Sequence, residues 1–216
     1  MTAPTHHLTD EWLLDYASGA ATEPVALMVA THLSFCPLCR ANAARLEQIG
    51  GTLLETIPPV AVDRNAWDRV AARLDEPAPD APPVRIGIPG VPAPLAAYLP
   101  RGLDAAPWAK VGFGAARAAL PCVEHRGFKS SLLRIGAGRG FPHHGHRGEE
   151  MLLVLQGSFD DETGHYGVGD VAVYDEAVTH RPVAGPERDC ICLVVTNAPI
   201  RMTGIFTRLL NPFLRS

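Results

Sequence analysis

The stretch that decides the fold spans residues 140–157 and reads GFPHHGHRGEEMLLVLQG. His144 and His146 are two residues apart, so an extended strand places both side chains on one face. Glu150 has the same parity, and six residues separate it from Gly157. The pattern therefore predicts two imidazoles and a carboxylate converging on one side of a strand that ends in a turn.

A third histidine completes this group. His180 ends the segment GDVAVYDEAVTH, which spans residues 169–180. Three imidazoles and a carboxylate suit zinc, iron, manganese or nickel, and the sequence does not rank these metals. The competing interpretation is a histidine-rich loop that binds no metal.

The surrounding sequence indicates an all-β unit. Short apolar runs alternate with turn signals in SSLLRIGAG, EEMLLVLQGSF, HYGVGDVAVYD and DCICLVVTN, a pattern typical of a sandwich or barrel. In the last run Cys190 and Cys192 flank Ile191 and share one face of a strand. They are interpreted as buried structural thiols, with an oxidisable pair lining the interior as the alternative.

The first third of the chain is predicted to be helical. The patterning gives helices over about 10–18, 24–35 and 36–50, and a fourth after Pro58-Pro59 that Asp63 can cap. Residues 76–83, EPAPDAPP, form a proline-rich stretch without apolar periodicity. The sequence therefore predicts an α+β protein in two domains: a small all-α bundle over 1–75, a linker over 76–94 and a β-barrel over 95–216.

A second metal site is predicted where helices two and three meet. His32 and Cys36 are four residues apart, and Cys36 and Cys39 are three apart, so three ligands of the kind that zinc prefers converge there. A closed zinc site needs a fourth ligand, and either His6 or His7 can supply it. The alternative is a reduced surface C-x-x-C pair with an unrelated histidine. A thioredoxin-type redox motif would follow a strand, whereas a helix is predicted here.

Composition narrows the possible partners. The formal net charge is −4, and residues 1–75 hold nine acidic residues against five arginines and no lysine. Direct nucleic-acid binding normally requires a basic surface, so a protein partner is favoured. The N-terminus does not resemble a signal peptide, and no apolar run is long enough for a transmembrane helix. The sequence therefore predicts a cytoplasmic protein with no membrane contact.

Two stretches resemble a known family. Residues 6–51, HHLTDEWLLDYASGAATEPVALMVATHLSFCPLCRANAARLEQIGG, are similar to the zinc-binding domain of ChrR-type anti-sigma factors. In that family an H-x3-C-x2-C motif and one upstream histidine bind zinc, and the resemblance maps that histidine to His7. The spacing H-x-H-x3-E-x6-G from His144 to Gly157 resembles the first motif of the cupin (jelly-roll) barrel. The P-x-G that usually precedes the last histidine is absent before His180.

The resemblance covers nearly the whole chain and implies a regulator. Such proteins bind a sigma factor of the extracytoplasmic-function type, block its access to RNA polymerase, and need a metal-binding cupin to respond to singlet oxygen or related oxidants. Zinc is expected in the N-terminal domain, and zinc or another divalent transition metal in the cupin. The competing class is a metal-dependent cupin enzyme, a dioxygenase or isomerase, with an accessory zinc domain.

Overall fold

The computed structural model describes residues 3–74, 76, 88, 90–122 and 126–204. Four helices come first and agree closely with the prediction. Their bounds are α1 Asp10–Ala17, α2 Glu23–Phe35, α3 Pro37–Glu55 and α4 Ala66–Leu74. Most of the predicted linker 76–94, and the last twelve residues of the predicted domain 95–216, lie outside the described residues.

The break between α2 and α3 follows from one proline. A proline disfavours helical backbone in the residue before it, and Cys36, which precedes Pro37, is extended at φ −104° and ψ 104°. Pro37 itself occupies the first turn of α3, where its missing N–H would have had no partner. The chain therefore turns at Cys36, between His32 and Cys39.

Helix α3 does not end at the Gly50-Gly51 pair, as the sequence predicted, but continues to Glu55. Glycine ends a helix when it takes a left-handed conformation, and neither of these two glycines has a positive φ. The following Leu53, Leu54 and Glu55 are good helix formers and extend the helix. The result is a long helix whose second half is exposed.

A short helix and twelve strands follow among the described residues, and all their strand pairings are antiparallel. A six-stranded sheet, here called the large sheet, has the order β1-β2-β3-β11-β5-β8. Two three-stranded sheets have the orders β10-β6-β7 and β12-β4-β9. The bounds are α5 Ala93–Ala96, β1 Ala109–Gly112, β2 Ala115–Ala119, β3 Lys129–Ile135, β4 His144–Gly145, β5 Glu150–Gln156, β6 Phe159–Asp161, β7 Gly164–Tyr166, β8 Val171–Tyr174, β9 Thr179–His180, β10 Val183–Ala184, β11 Cys190–Thr196 and β12 Arg201–Met202.

Both faces of the large sheet are buried. Along β5, Met151 and Leu153 belong to the core that includes α1 and α2, whereas Leu152 and Val154 belong to the core between the sheets. Strand β11 alternates in the same way. Burial on both faces explains why these strands are almost continuously apolar. The fold is thus a β-rich domain with helices from the N-terminal part packed on one face of its large sheet.

Candidate metal centres

The described residues contain two groups of side chains suited to a metal ion, and the eight predicted ligands make up both. Within each group the potential ligand atoms lie within 4.8 Å of one another. The first group is His7, His32, Cys36 and Cys39, and the second is His144, His146, Glu150 and His180.

His32 gives the best test of whether the first group fits a metal. Its Nδ1 lies 2.9 Å from the carbonyl oxygen of Gly169. A carbonyl only accepts, so Nδ1–H donates and Nε2 of the neutral ring keeps a free lone pair. That Nε2 is buried and has no hydrogen-bond partner among the described residues. Burial also lowers the pKa of His32, so a proton is disfavoured there. The first group therefore offers a lone pair that fits a cation.

The two cysteines are held at the start of α3. The backbone N–H of Cys39 donates to the Cys36 sulfur at 3.4 Å, and both side chains are buried. Burial raises the pKa of the Cys39 thiol to about 11, so a nearby cation is needed to hold it as thiolate. His7 Nδ1 lies 3.2 Å from the Cys36 sulfur. Of the two N-terminal histidines, only His7 lies in the group, whereas the His6 ring contacts Tyr166, with ring centroids 4.3 Å apart.

Strand pairing assembles the second group. The pairing of β4 with β9 sets His144 opposite His180, and the pairing of β5 with β8 sets Glu150 opposite Tyr174. His146 follows β4, and its ring stacks on that of Tyr174 at 5.6 Å between centroids. The four ligand side chains are all buried.

Two imidazole nitrogens of this group, from His144 and His180, face each other at short distance. His144 Nδ1 donates to the Pro142 carbonyl at 2.8 Å, and His180 Nδ1 donates to the Asp161 carboxylate at 2.7 Å. The Nε2 atoms of the two rings lie 3.1 Å apart. Because Nδ1 of each ring is already hydrogen-bonded, both Nε2 atoms are left for the same point, and this donor set fits a shared cation.

The ionisation of the group points the same way. Burial, followed by the neighbouring His180, lowers the pKa of His144 to about 3 and that of His146 to about 4. Burial also raises the pKa of Glu150 to about 7. Near neutral pH both imidazoles are therefore unprotonated, as a metal ligand must be.

Asp161 holds one of the candidate ligands, His180, and the sequence did not reveal it. Its buried carboxylate accepts hydrogen bonds from His180 and from the Tyr174 hydroxyl, at 2.7 Å and 2.6 Å. Burial alone would raise the pKa of Asp161. The hydrogen bonds from His180 and Tyr174, together with those from Thr163, instead lower this pKa below its usual range. The sequence carries no signal for this role, because Asp160 beside it has the same chemistry.

Replacing Asp161 by asparagine should weaken metal binding by the second group about 10- to 100-fold, because an asparagine oxygen that accepts from His180 turns its NH2 group onto the Thr163 N–H, which also donates. The matched control is Asp160→Asn, whose carboxylate pairs with His165 on the surface. Metal content would be measured after dialysis against a graded chelator. Equal retention by the two variants would contradict the assignment to Asp161.

Known proteins are similar to this chain in sequence and in fold. The family described as the ChrR Cupin-like domain matches residues 101–199. The chain is 43% identical over 210 residues to the anti-sigma-E factor ChrR of Cereibacter sphaeroides, covering 97% of this chain and 98% of that protein. It also resembles a chain in the crystal structure of Rhodobacter sphaeroides SigE in complex with the anti-sigma ChrR. That match has a TM-score of 0.80 and 42% identity, and covers 90% of this chain and 100% of the other.

None of the helices in the described part of the chain has the length and apolar character needed to cross a lipid bilayer.

The similarity extends through the N-terminal helices and the β-rich domain alike, since it covers nearly the full length of both proteins. This chain belongs to the ChrR family of anti-sigma factors.

Proposed function

We propose that this chain is an anti-sigma factor that binds and inhibits a sigma factor of the extracytoplasmic-function type. The observation that carries this proposal is an apolar stripe on α4, formed by Trp67, Val70, Ala71 and Leu74. No residue of α4 is buried, and Trp67 and Leu74 are 71% and 74% exposed. A continuous exposed apolar surface of this kind is typical of a protein-binding site. Because the chain belongs to a family of anti-sigma factors, we propose that the protein which binds this stripe is a sigma factor.

Further exposed apolar side chains lie at the end of α3 and in the segment that follows it. Leu53, Leu54 and Ile57 are each more than 60% exposed, as are Val60 and Val62 in the segment that leads to α4. Exposed apolar side chains in this number mark an interaction site, and tryptophan, present here as Trp67, is among the residues that contribute most to protein interfaces. The helical part of the chain therefore supplies the inhibitory surface.

The first metal group would hold zinc and stabilise the helical part. Two imidazoles and two thiolates with no remaining open position are typical of a structural zinc site, and such an ion ties together the segments that carry its ligands. His7 comes from the segment before α1, His32 from α2, and the cysteines from the start of α3. We accordingly assign residues 1–75 to an anti-sigma domain, 76–94 to a linker and 95–216 to a cupin domain.

The second metal group would hold zinc or another divalent transition metal in the cupin domain. We propose that this domain is needed to release the sigma factor after singlet oxygen or a related oxidant acts on it, and not to capture the sigma factor. Oxidation of His144, or of Cys190 and Cys192, whose sulfurs lie 3.6 Å apart, would change the residues around this group. A loss of about 3 kcal/mol of sigma affinity would weaken binding more than a hundredfold.

The proposed role is regulatory, and a catalytic role is not assigned to either metal group. Inhibition of a sigma factor takes place where RNA polymerase works, so we propose that the chain acts in the cytoplasm and contacts no nucleic acid directly. The acidic N-terminal part, with nine acidic residues and five arginines over 1–75, agrees with a protein partner.

Capture with the tagged full-length chain should recover a sigma factor from the source cell. In a reporter strain driven by that sigma factor, single alanine variants at His144, His146, Glu150 and His180 should keep basal repression but lose most of the induction by singlet oxygen. The control is His165→Ala, a surface histidine of β7 that is 65% exposed. Capture without a sigma factor would refute the proposal, and full induction in all four variants would remove the cupin from the response.

A further inference from the structure

A loop of the β-rich domain reaches the first metal group. The β7–β8 loop, residues 167–170, lies between Tyr166 and Val171. The Gly169 carbonyl of this loop accepts the hydrogen bond from His32 Nδ1, at 2.9 Å in a buried environment. Such a partner on the second nitrogen of a ligating imidazole sets its tautomer and its ring orientation. The group that orients His32 thus comes from a residue 137 positions away in the chain.

The same loop fixes the segment that precedes His7. The buried carboxylate of Asp170 accepts hydrogen bonds from the backbone N–H groups of Thr5 and His6, at 2.6 Å and 2.8 Å through Oδ1. Its Oδ2 accepts from the N–H of Gly167 at 2.8 Å, which holds the loop itself. Two of the four ligands of the first group, His7 and His32, are therefore placed by one loop.

Close packing makes this contact specific. Gly169 has φ +92°, and a Cβ at this position would lie 2.8 Å from Cβ of Phe35 and 2.9 Å from Cγ of Pro4. Both conditions favour glycine at position 169. Phe35 directly precedes the ligand Cys36, and Pro4 lies three residues before His7. The loop backbone therefore sits directly against the chain segments that carry the ligands.

We propose that the β7–β8 loop is a positioning element of the N-terminal metal site, with Gly169 orienting His32 and Asp170 holding the segment that delivers His7. Metal binding by the helical part then depends on contact with the β-rich domain. A change in that domain which moves the loop lowers the metal affinity of the first group. This inference rests on the proposed metal site at His7, His32, Cys36 and Cys39.

Cobalt(II) titration of the metal-free full-length chain tests this inference, because the two groups give different signals. Cobalt bound by cysteine produces a thiolate charge-transfer absorption, which reports the first group alone, since the second group contains no cysteine. Elemental analysis after dialysis gives the total bound cobalt and hence the occupancy of the second group. The variants are Asp170→Ala and Asp170→Asn. The control is Asp189→Ala, which removes a carboxylate that accepts the Ala137 N–H and belongs to neither group.

Asp170→Ala should weaken cobalt binding at the first group about 10- to 100-fold and leave the second group loaded. Asp170→Asn keeps an oxygen that can accept from Thr5 and His6, so it should recover part of that loss, and Asp189→Ala should bind like the parent chain. Unchanged binding in Asp170→Ala, equal loss from both groups, or no recovery in Asp170→Asn would each overturn the inference. Absence of the thiolate absorption in the parent chain would instead refute the N-terminal metal site itself.

Discussion

Replacing Cys36 and Cys39 together by serine should remove one metal ion per chain and abolish binding of the sigma factor. A structural zinc ion contributes folding free energy directly, on the order of 10 kcal/mol in small zinc-finger peptides. Helix α3 depends strongly on this site, because Cys39 and Ala43 are its only buried residues among those described. Helix α2 should remain folded, since it packs on the large sheet through residues such as Leu27 and Met28.

The matched control for this double variant is Cys122→Ser. Cys122 is a partly buried free cysteine that belongs to neither metal group. Elemental analysis should show the loss of one ion in the double variant and of none in the control, and hydrogen exchange should rise in α3 before α2. An unchanged metal content in the Cys36→Ser, Cys39→Ser chain would show that the first group binds no metal.

Replacing Trp67 and Leu74 together by serine should weaken sigma binding at least a hundredfold without loss of metal or thermal stability. Both side chains are exposed in the chain alone, so their removal takes nothing from its core. Hot-spot side chains at the centre of a protein interface contribute about 2 kcal/mol or more each, and we expect Trp67 and Leu74 to be two of them. A difference of roughly 1.4 kcal/mol is a tenfold change in affinity. Two such losses exceed a hundredfold.

The control for this variant removes a similar kind of exposed apolar surface elsewhere. Val111 lies in β1 and is 44% exposed, and Phe113 follows β1 and is 49% exposed. Val111→Ser with Phe113→Ser should bind the sigma factor like the parent chain in a titration of the purified proteins. If the Trp67→Ser, Leu74→Ser chain also binds like the parent, the inhibitory surface lies outside α4.

Much of the candidate site was predictable, because its signals are local. The single strand predicted to carry His144, His146 and Glu150 was wrong, because residues 146–149 separate β4 from β5, but their short spacing still brings the three side chains into one group. His32, Cys36 and Cys39 are brought together by one helical turn and one proline-directed break. The prediction of His180 as a further ligand required only a second strand-like segment that ends in a histidine. In contrast, spacing left His6 and His7 equivalent, and the contact between the His6 ring and Tyr166 distinguishes them.

The packing of the helices on the sheet was only weakly signalled. Strands β5 and β11 are apolar at nearly every position, which indicates burial on both faces. The sequence does not say what covers the second face, because the hydrophobic effect is non-directional and any apolar surface of the chain could cover it. The structure provides the answer in α1 and α2. The predicted end of α3 at Gly50 was wrong, because glycine permits the left-handed conformation that ends a helix without requiring it.

The sequence by itself determined which residues form the two candidate ligand sets, the order of helices before strands, and the acidic character that favours a protein partner. Only the tertiary structure decided the residues that orient those ligands. Asp161 and Asp170 are ordinary acidic residues in the sequence, and each acts through hydrogen bonds to groups brought close by folding, His180 in one case and the backbone of Thr5 and His6 in the other. Ligand identity depends on side-chain chemistry and local spacing, whereas ligand orientation depends on long-range contacts that no local pattern encodes.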